Sequence, residues 1–533
     1  MQLGRQVAQT RLLSRFMSPH SLLLKSSSGL IISWILVLTP STNKESMRLQ
    51  DRAARSVAWS SVDNWGRQIL SFVVYAALAR LVGPESFGVI AIAGVYVAFV
   101  QIFVTQGFST AVIQRKKLEP EHLDSAFWIN LTVAILLCLS TILLSSPMAT
   151  LFQEPKVSPV LMWLSALFPI FAFSTVPTAI LTRKLEFKVL AIRSLAGTGI
   201  GGGVGLLMAF HGQGVWSLVA QQLVAASVGV VCIWWATSWR PKLTISVRHL
   251  QELYSFALNI LGNDILWFFS QRSDQTLVGY GFGATGLGPY ALAQRLINIV
   301  MEALGGPLQS VALPTLSRLQ DDPKRLKAAF YRFTEIGALV SFPAFAGIIA
   351  IAPDIVQIVF GNEWFLAVPI LRVLAFYGAL RVAFSFIHPL MLSKGRPGLY
   401  LLMFIVHASA TFLACLVAIL WHPTAVAVAV TAVMVLYSIG IMPILRRVLD
   451  ITGQELCKAL ASPLLASVAM LGLVSLTRLA CPNEGLRLLL SIIVGMISYA
   501  SLLLLLCREM AAELQKFCVS RLAAWTFLFT KKI

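Results

Sequence analysis

The residues of this sequence that could do chemistry are ionisable side chains set inside long apolar runs. In the first such run Asp63 and Arg67 stand four residues apart, with Asn64, Gln68 and Ser71 widening the polar face. Further on, Asp264, Gln271 and Asp274 fall at offsets of seven and ten, which return near one helical azimuth, with Arg272 beside them. Arg295, Asn298 and Glu302 form a stripe at i, i+3, i+7, and Arg381, Ser385 and His388 form another. A charge at mid-bilayer costs roughly 2.5–3.5 kcal/mol on insertion scales, so such groups face a cavity or a partner. Arg67, Arg272, Arg295 and Arg381 are therefore candidates to line a cavity. Asp63, Asp264, Asp274 and Glu302 are candidates to carry a coupling ion or to balance the arginines.

Bland readings compete at several of these positions. Asp63 with Arg67 also fits a self-neutralising i,i+4 pair. Arg80 and Arg372, near helix ends, read as snorkelling side chains. His407 reads as a satisfied buried side chain rather than a proton relay.

Other chemistry is absent from the sequence. Gly281–Gly286 spells GFGATG, but it links two apolar spans rather than a strand and a helix, and reads as a tight turn. No G-x-x-x-x-G-K-[ST], HExxH or DxD occurs. The seven cysteines include no CxxC, and Cys138, Cys232 and Cys415 fall in apolar spans, so neither a disulfide framework nor a zinc site is expected. No catalytic residue, metal or cofactor is expected, and the chain does not read as an enzyme.

The elements that must position these residues are membrane helices. Of 533 residues 57% are hydrophobic and 12% charged, with mean hydropathy +0.79. Runs of about 20 apolar residues recur, the length at which a helix spans a bilayer. That excludes a soluble enzyme, a secreted disulfide scaffold and a DNA-binding domain. The reading is an all-α polytopic membrane protein of about fourteen helices, near 56–80, 88–112, 125–146, 159–182, 190–210, 214–236, 253–280, 288–312, 333–352, 366–392, 399–420, 424–445, 459–478 and 487–507.

Net charge is +19, from 42 basic and 23 acidic residues, and the excess follows the positive-inside rule rather than nucleic acid. Alternate loops hold Arg115–Lys117, Arg183–Lys188, Arg240–Arg248, Arg318–Arg332, Lys394–Arg396 and Arg446–Lys458, whereas the opposite set offers Lys156 as its one basic residue. Both termini are expected in the cytoplasm. The outward loops are short, which argues against a membrane polymerase or ligase acting outside. Residues 1–50 are basic and serine-rich, with one apolar stretch, GLIISWILVLTP, too short to span comfortably. They read as a cytoplasmic extension, with Met47 as an alternative start.

An internal repeat is also visible. LVGPESFGV holds Gly83 and Gly88, and FGATGLGPY holds Gly283 and Gly288, 200 residues on. The same offset pairs Asp63–Asn64 with Asn263–Asp264. Two six-helix halves related by parallel duplication follow, as in transporters. The expected layout is an extension at 1–50, bundles at 51–250 and 251–450, two added helices at 451–510 and a basic cytoplasmic tail at 511–533. Gly197, Gly201 and Gly205 form a GxxxGxxxG row, expected to let another helix pack closely.

The segments LARLVGPESFGVIAIA, AVIQRKKLEPEHLDSAFWIN, GQGVWSLVAQQLV and LPTLSRLQDDPKRLKAAF resemble those of bacterial polysaccharide transporters, the lipopolysaccharide and exopolysaccharide flippases of the multidrug/oligosaccharidyl-lipid/polysaccharide exporter superfamily. The resemblance covers about 50–450. It implies two six-helix bundles forming a V, plus two further helices. It also implies a cargo of undecaprenyl-diphosphate-linked oligosaccharide, moved from the cytoplasmic to the periplasmic leaflet of the bacterial inner membrane, with cavity arginines holding the diphosphate. The implied partners are that lipid-linked oligosaccharide, the membrane and other polysaccharide assembly proteins, with no nucleic acid and the chain a monomer. A cation-coupled multidrug antiporter of the same superfamily is the alternative; its cavity would be dominated by carboxylates, whereas arginines here are at least as numerous. A membrane glycosyltransferase lacks its motif and its extramembrane domain, and a structural scaffold leaves the buried charge unexplained.

Overall fold

Proline placement sets several of the helix starts. Pro84, Pro120, Pro323, Pro397 and Pro423 each open a helix, where the missing N–H is one that the first turn leaves unpaired anyway. The computed structural model describes residues 66–105, 119–244, 246–481 and 483–506. The expected 1–50 extension, the 511–533 tail and Asp63 lie outside the described residues.

Every regular element among the described residues is helical. In chain order they are α1 (66–82), α2 (Pro84–Thr105), α3 (Pro120–Leu151), α4 (Val157–Leu164), α5 (Leu167–Arg183), α6 (Phe187–Phe210) and α7 (Val215–Ala236). Then follow the long segment α8 (Val247–Arg318), α9 (Pro323–Ile355), a π-helical turn (Val356–Phe360) and a 3-10 turn (Asn362–Trp364), α10 (Ala367–Ala383), α11 (Ile387–Ser393), α12 (Pro397–Ala418), α13 (Pro423–Gly440), α14 (Met442–Leu449), α15 (Gly453–Ala480) and α16 (Glu484–Leu506). Twelve spans among the described residues are long and apolar enough to cross a membrane. One of them, Leu261–Arg318, holds 58 residues and is two helices joined at Gly283, whose φ is 62° and ψ −159°. We call the parts before and after it α8a and α8b. Leu143, Phe210, Leu420 and Leu505 are largely exposed, a surface that lipid rather than water solvates.

The GFGATG segment is thus a turn, as its setting predicts, and the repeat carries into three dimensions. Gly83 has φ 82° and Gly283 has φ 62°, the left-handed region that glycine enters without a Cβ clash. Gly88 packs against the Ala284 carbonyl, and Gly288 packs against that of Pro84. Since 84 and 284, like 88 and 288, differ by 200, the contact is reciprocal, as a local pseudo-two-fold axis requires. A second correspondence runs at offset 210. Lys184–Leu185–Glu186 and Lys394–Gly395–Arg396 close α5 and α11 with the same three backbone hydrogen bonds, to residues 180, 182, 181 and 390, 392, 391 respectively.

Packing follows residue size. Gly197, Gly201 and Gly205 of α6 lie against Ala225, Gln221 and Ser217 of α7, the close backbone approach that their spacing predicts. The quoted segment LDSAFWIN turns out to clamp the chain that leaves α7. Asp124 accepts from the Lys242 N–H (3.2 Å) and the Thr244 hydroxyl (3.1 Å), Ser125 from the Ser246 N–H (2.9 Å), and the Trp128 indole donates to the Lys242 carbonyl (2.7 Å). The last two helices are tied to α9, where Arg487 of α16 donates to buried Asp354 at 2.9 and 2.5 Å and the Tyr499 hydroxyl to the Leu339 carbonyl at 2.8 Å.

Candidate functional site

The site is built where the first half meets α8. At the end bearing the Gly83 and Gly283 turns the halves are sealed. Buried Trp364 donates its indole N–H to the Ala79 carbonyl (3.0 Å), stacks edge-on to Phe87 (5.4 Å between centroids), and is flanked by Phe360, itself edge-on to Phe72. Arg80 donates to the Ile358 carbonyl at 2.8 Å, so its role is to bridge the halves rather than to snorkel. Arg372 donates to the Ile349 carbonyl (3.2 Å). Beside the seal, Lys156 pairs with Glu85 at 2.6 Å; that hydrogen bond, reinforced by the carboxylate charge, raises the Lys156 pKa above its ordinary value.

Away from the seal, polar groups replace apolar ones along α1 and α8b. The Arg295 guanidinium donates to the Ser71 hydroxyl (3.2 Å), and the Gln68 amide donates to Glu302 (2.5 Å). Arg272 of α8a donates to the Gln275 side chain at 2.7 Å. Arg381 of α10 donates to Gln271 (2.8 Å), the residue preceding Arg272, and to the Tyr377 hydroxyl, and it lies over the Tyr377 ring at 5.6 Å. All three arginines therefore adjoin α8. None of them forms an ion pair among the described residues; their partners are neutral oxygens and an aromatic face.

The carboxylates behave differently from one another. Asp274 is buried and turned into the α8a–α8b hairpin, where it accepts from the Tyr290 hydroxyl (2.8 Å), the Gln294 amide (2.8 Å) and the Gln275 N–H (2.8 Å). It braces the hairpin through neutral donors and balances no arginine by direct contact. Tyr290→Phe removes one of these donors. It is expected to lower stability by about 1–3 kcal/mol, read as an earlier thermal transition of the detergent-purified protein. Glu302 meets Gln68 rather than an arginine. Asp264 is half-buried, with no hydrogen bond or ion pair among the described residues, and Arg67 is exposed in the same condition. Neither is drawn into the group. His407 differs from its expected satisfied state, because its ring lies 4.7 Å from that of Tyr437 and its buried Nδ1 has no hydrogen-bond partner among the described residues.

Sequence reasoning missed Gln275, Gln294, Tyr290 and Tyr377. The two glutamines carry the same signal as the arginines, polar groups inside apolar spans. The tyrosines and Trp364 carry none, because amphipathic aromatics are ordinary in membrane helices.

Residues 77–369 match the family described as polysaccharide biosynthesis protein, more than half of the chain. The chain belongs to this family. Arg272 and Arg295 lie within the matched region, and Arg67 and Arg381 outside it. Among relatives of this chain, the succinoglycan biosynthesis transport protein ExoT of Rhizobium meliloti (strain 1021) is 27% identical over 374 residues, covering 70% of this chain and 74% of that protein. The lipopolysaccharide biosynthesis protein WzxC of Escherichia coli (strain K12) is 23% identical over 352 residues, covering 66% and 72%. The fold of the chain resembles that of the lipid II flippase MurJ in an inward closed conformation, with TM-score 0.72 over 85% of this chain and 99% of that one, at 13% identity.

Proposed function

We propose that the protein is a flippase that carries an undecaprenyl-diphosphate-linked oligosaccharide from the cytoplasmic to the periplasmic leaflet of the bacterial inner membrane. The observation that supports it is the set Arg272, Arg295 and Arg381, three permanent cations at one helix hairpin with no carboxylate partner among the described residues. Unpaired cations in a bilayer are expensive, and an anionic cargo supplies the missing charge. A diphosphate offers the oxygens that a guanidinium fork binds through charge-assisted hydrogen bonds. Sugar hydroxyls are barred from hydrocarbon, so the head group needs a polar path while its tail stays in lipid.

The positive-inside rule puts the basic loops at the cytoplasmic face, which places the Trp364 seal on the periplasmic side. In this reading the sealed arrangement receives cargo from the cytoplasmic leaflet, and rocking that parts the halves at the seal and at the Gly88–Gly288 crossing releases it on the other side. Opening would break the Trp364–Ala79 and Arg80–Ile358 hydrogen bonds.

The decisive experiment deletes the gene and asks in which leaflet polyprenyl-linked saccharide accumulates, by its protection from a non-permeant glycan-modifying enzyme. The expected result is a completed repeat unit trapped on the cytoplasmic side with surface polymer lost. An unchanged lipid-linked pool with normal polymer would remove the proposal.

A further inference from the structure

Inside the first half, between α5, α6 and α7, lies a cavity of about 280 Å³ whose walls include Ser174, Arg193, Ser194, Gly197, Thr198 and Gly229. Arg193 is the one charged residue among the described residues lining it; it donates to the Thr178 hydroxyl at 3.4 Å and has at least one further interaction besides. Three hydroxyls and a guanidinium around one void form a polar site rather than a packing fault, because a dry void in a membrane bundle is lined by apolar groups.

The internal repeat shows that this void is a departure from the other half. By the 210-residue correspondence that aligns the turns at 184–186 and 394–396, Ser194 and Gly197 answer to Phe404 and His407. The caps of α7 and α13, Gly214 and His422, give an offset of 208 for the next helix, and Gly229 answers to Tyr437. In the second half these positions are filled with rings, His407 against Tyr437 at 4.7 Å and Phe404 beside Tyr400 at 6.3 Å. In the first half the same positions carry two glycines and a serine; Gly197 receives the Ala225 carbonyl, and the Arg193 side chain lies against Gly229, its Nε and Cγ 3.4 and 3.6 Å from where a Cβ would stand.

Depth adds a constraint. Arg193 lies six residues beyond the start of α6 at Phe187, about 9 Å along the helix from the basic turn holding Arg183, Lys184 and Lys188. That is near the level of the phosphates and upper acyl chains of the leaflet facing the basic loops.

We infer that this cavity is a phosphate-headgroup site in the first half, separate from the α8 arginines, in which Arg193 holds the oxyanion and Ser174, Ser194 and Thr198 hold adjoining hydroxyls. The inference rests on the flippase reading for one of two sources of that phosphate, the diphosphate of the cargo; the other is a bilayer phospholipid. As cargo site, it would hold the head group on the first half before the α8 arginines engage it.

The test uses the full chain in phosphatidylcholine nanodiscs, with radiolabelled undecaprenyl diphosphate as probe, undecaprenol as the uncharged control and phosphatidylglycerol as competitor. Arg193→Gln is expected to weaken diphosphate binding by about tenfold or more, the scale of one charge-assisted hydrogen bond, and to leave undecaprenol unaffected. Arg193→Lys should restore part of the loss. Gly229→Leu, which fills the void against the Arg193 side chain, should weaken binding equally without removing the charge; it also keeps the test alive if Arg193→Gln fails to fold. Competition by phosphatidylglycerol identifies the source as bilayer phospholipid, and its absence identifies the cargo; the site stands in both cases. Unchanged diphosphate affinity in folded Arg193→Gln or folded Gly229→Leu protein would overturn the site. The flippase reading fails separately, in the leaflet assay, even if binding persists here.

Discussion

Cells carrying Arg295→Ala are expected to hold normal amounts of the protein in the membrane yet export little or no glycan. Arg295 sits on α8b with its guanidinium toward Ser71 of α1, at the join between the halves. If it binds a phosphate, its loss removes one or two hydrogen bonds to a charged group, each worth about 1.5–3 kcal/mol. Together that is a fall of roughly ten- to ten-thousandfold in affinity for the cargo head. Stability should change little, because a neutral serine is the partner left behind. Arg272→Ala should behave alike, since Arg272 stands on the other arm of the same hairpin, where it donates to Gln275, itself bonded to Gln294, the residue next to Arg295. The control is Arg372→Ala, an exposed arginine that donates to a helix carbonyl away from α8, for which export should be normal. Surface polymer at wild-type level in both Arg295→Ala and Arg272→Ala strains would take these residues out of the site.

Gly88→Ala is expected to be damaging for a different reason. A Cβ built on Gly88 would stand 1.8 Å from the Ala284 carbonyl oxygen and 2.4 Å from its carbon, and one on Gly288 would stand 2.1 Å from the Pro84 oxygen. Both obstacles are backbone, so no rotamer change relieves them; the two helices must part. Overpacking of this kind costs about 1–3 kcal/mol or more, and it separates the halves at the seal. The expected outcome is an earlier thermal transition together with increased labelling, by an impermeant maleimide, of a cysteine introduced at the exposed Glu363 beside the seal. Gly94 lies on the same helix with nothing within 4 Å of a built Cβ. Gly94→Ala should be neutral or stabilise by about 0.5–1 kcal/mol, since alanine restricts the unfolded chain. Equal transitions for Gly88→Ala and Gly94→Ala would mean that the crossing is looser than described.

Which neighbour each polar residue meets was less legible than the residues themselves. Gln271 and Asp274 read as one face, yet Gln271 meets Arg381 on α10 while Asp274 turns into the hairpin toward Tyr290. Three residues of helix rotate the side chain by about 300°, leaving the pair some 60° apart, enough to address different helices. Periodicity therefore assigned them to a shared face without separating two adjacent neighbours. Asp264 shares the azimuth of Gln271 to within about 20° but stands seven residues, about 10 Å, further along the helix, and so stays clear of the group.

The sequence by itself determined the membrane-spanning helical architecture, because hydrocarbon leaves a backbone no other way to satisfy its hydrogen bonds. It also determined the short turns and the 200-residue repeat, because glycine at Gly83 and Gly283 and proline at helix starts act through local sterics. Only the tertiary structure decided that Gly88 and Gly288 meet each other across the halves, that LDSAFWIN holds the chain between α7 and α8, and that Asp274 is consumed by the hairpin while Arg272, Arg295 and Arg381 keep neutral partners. Those outcomes depend on contacts between residues up to hundreds of positions apart. No local propensity encodes such contacts; they follow from how whole helices pack.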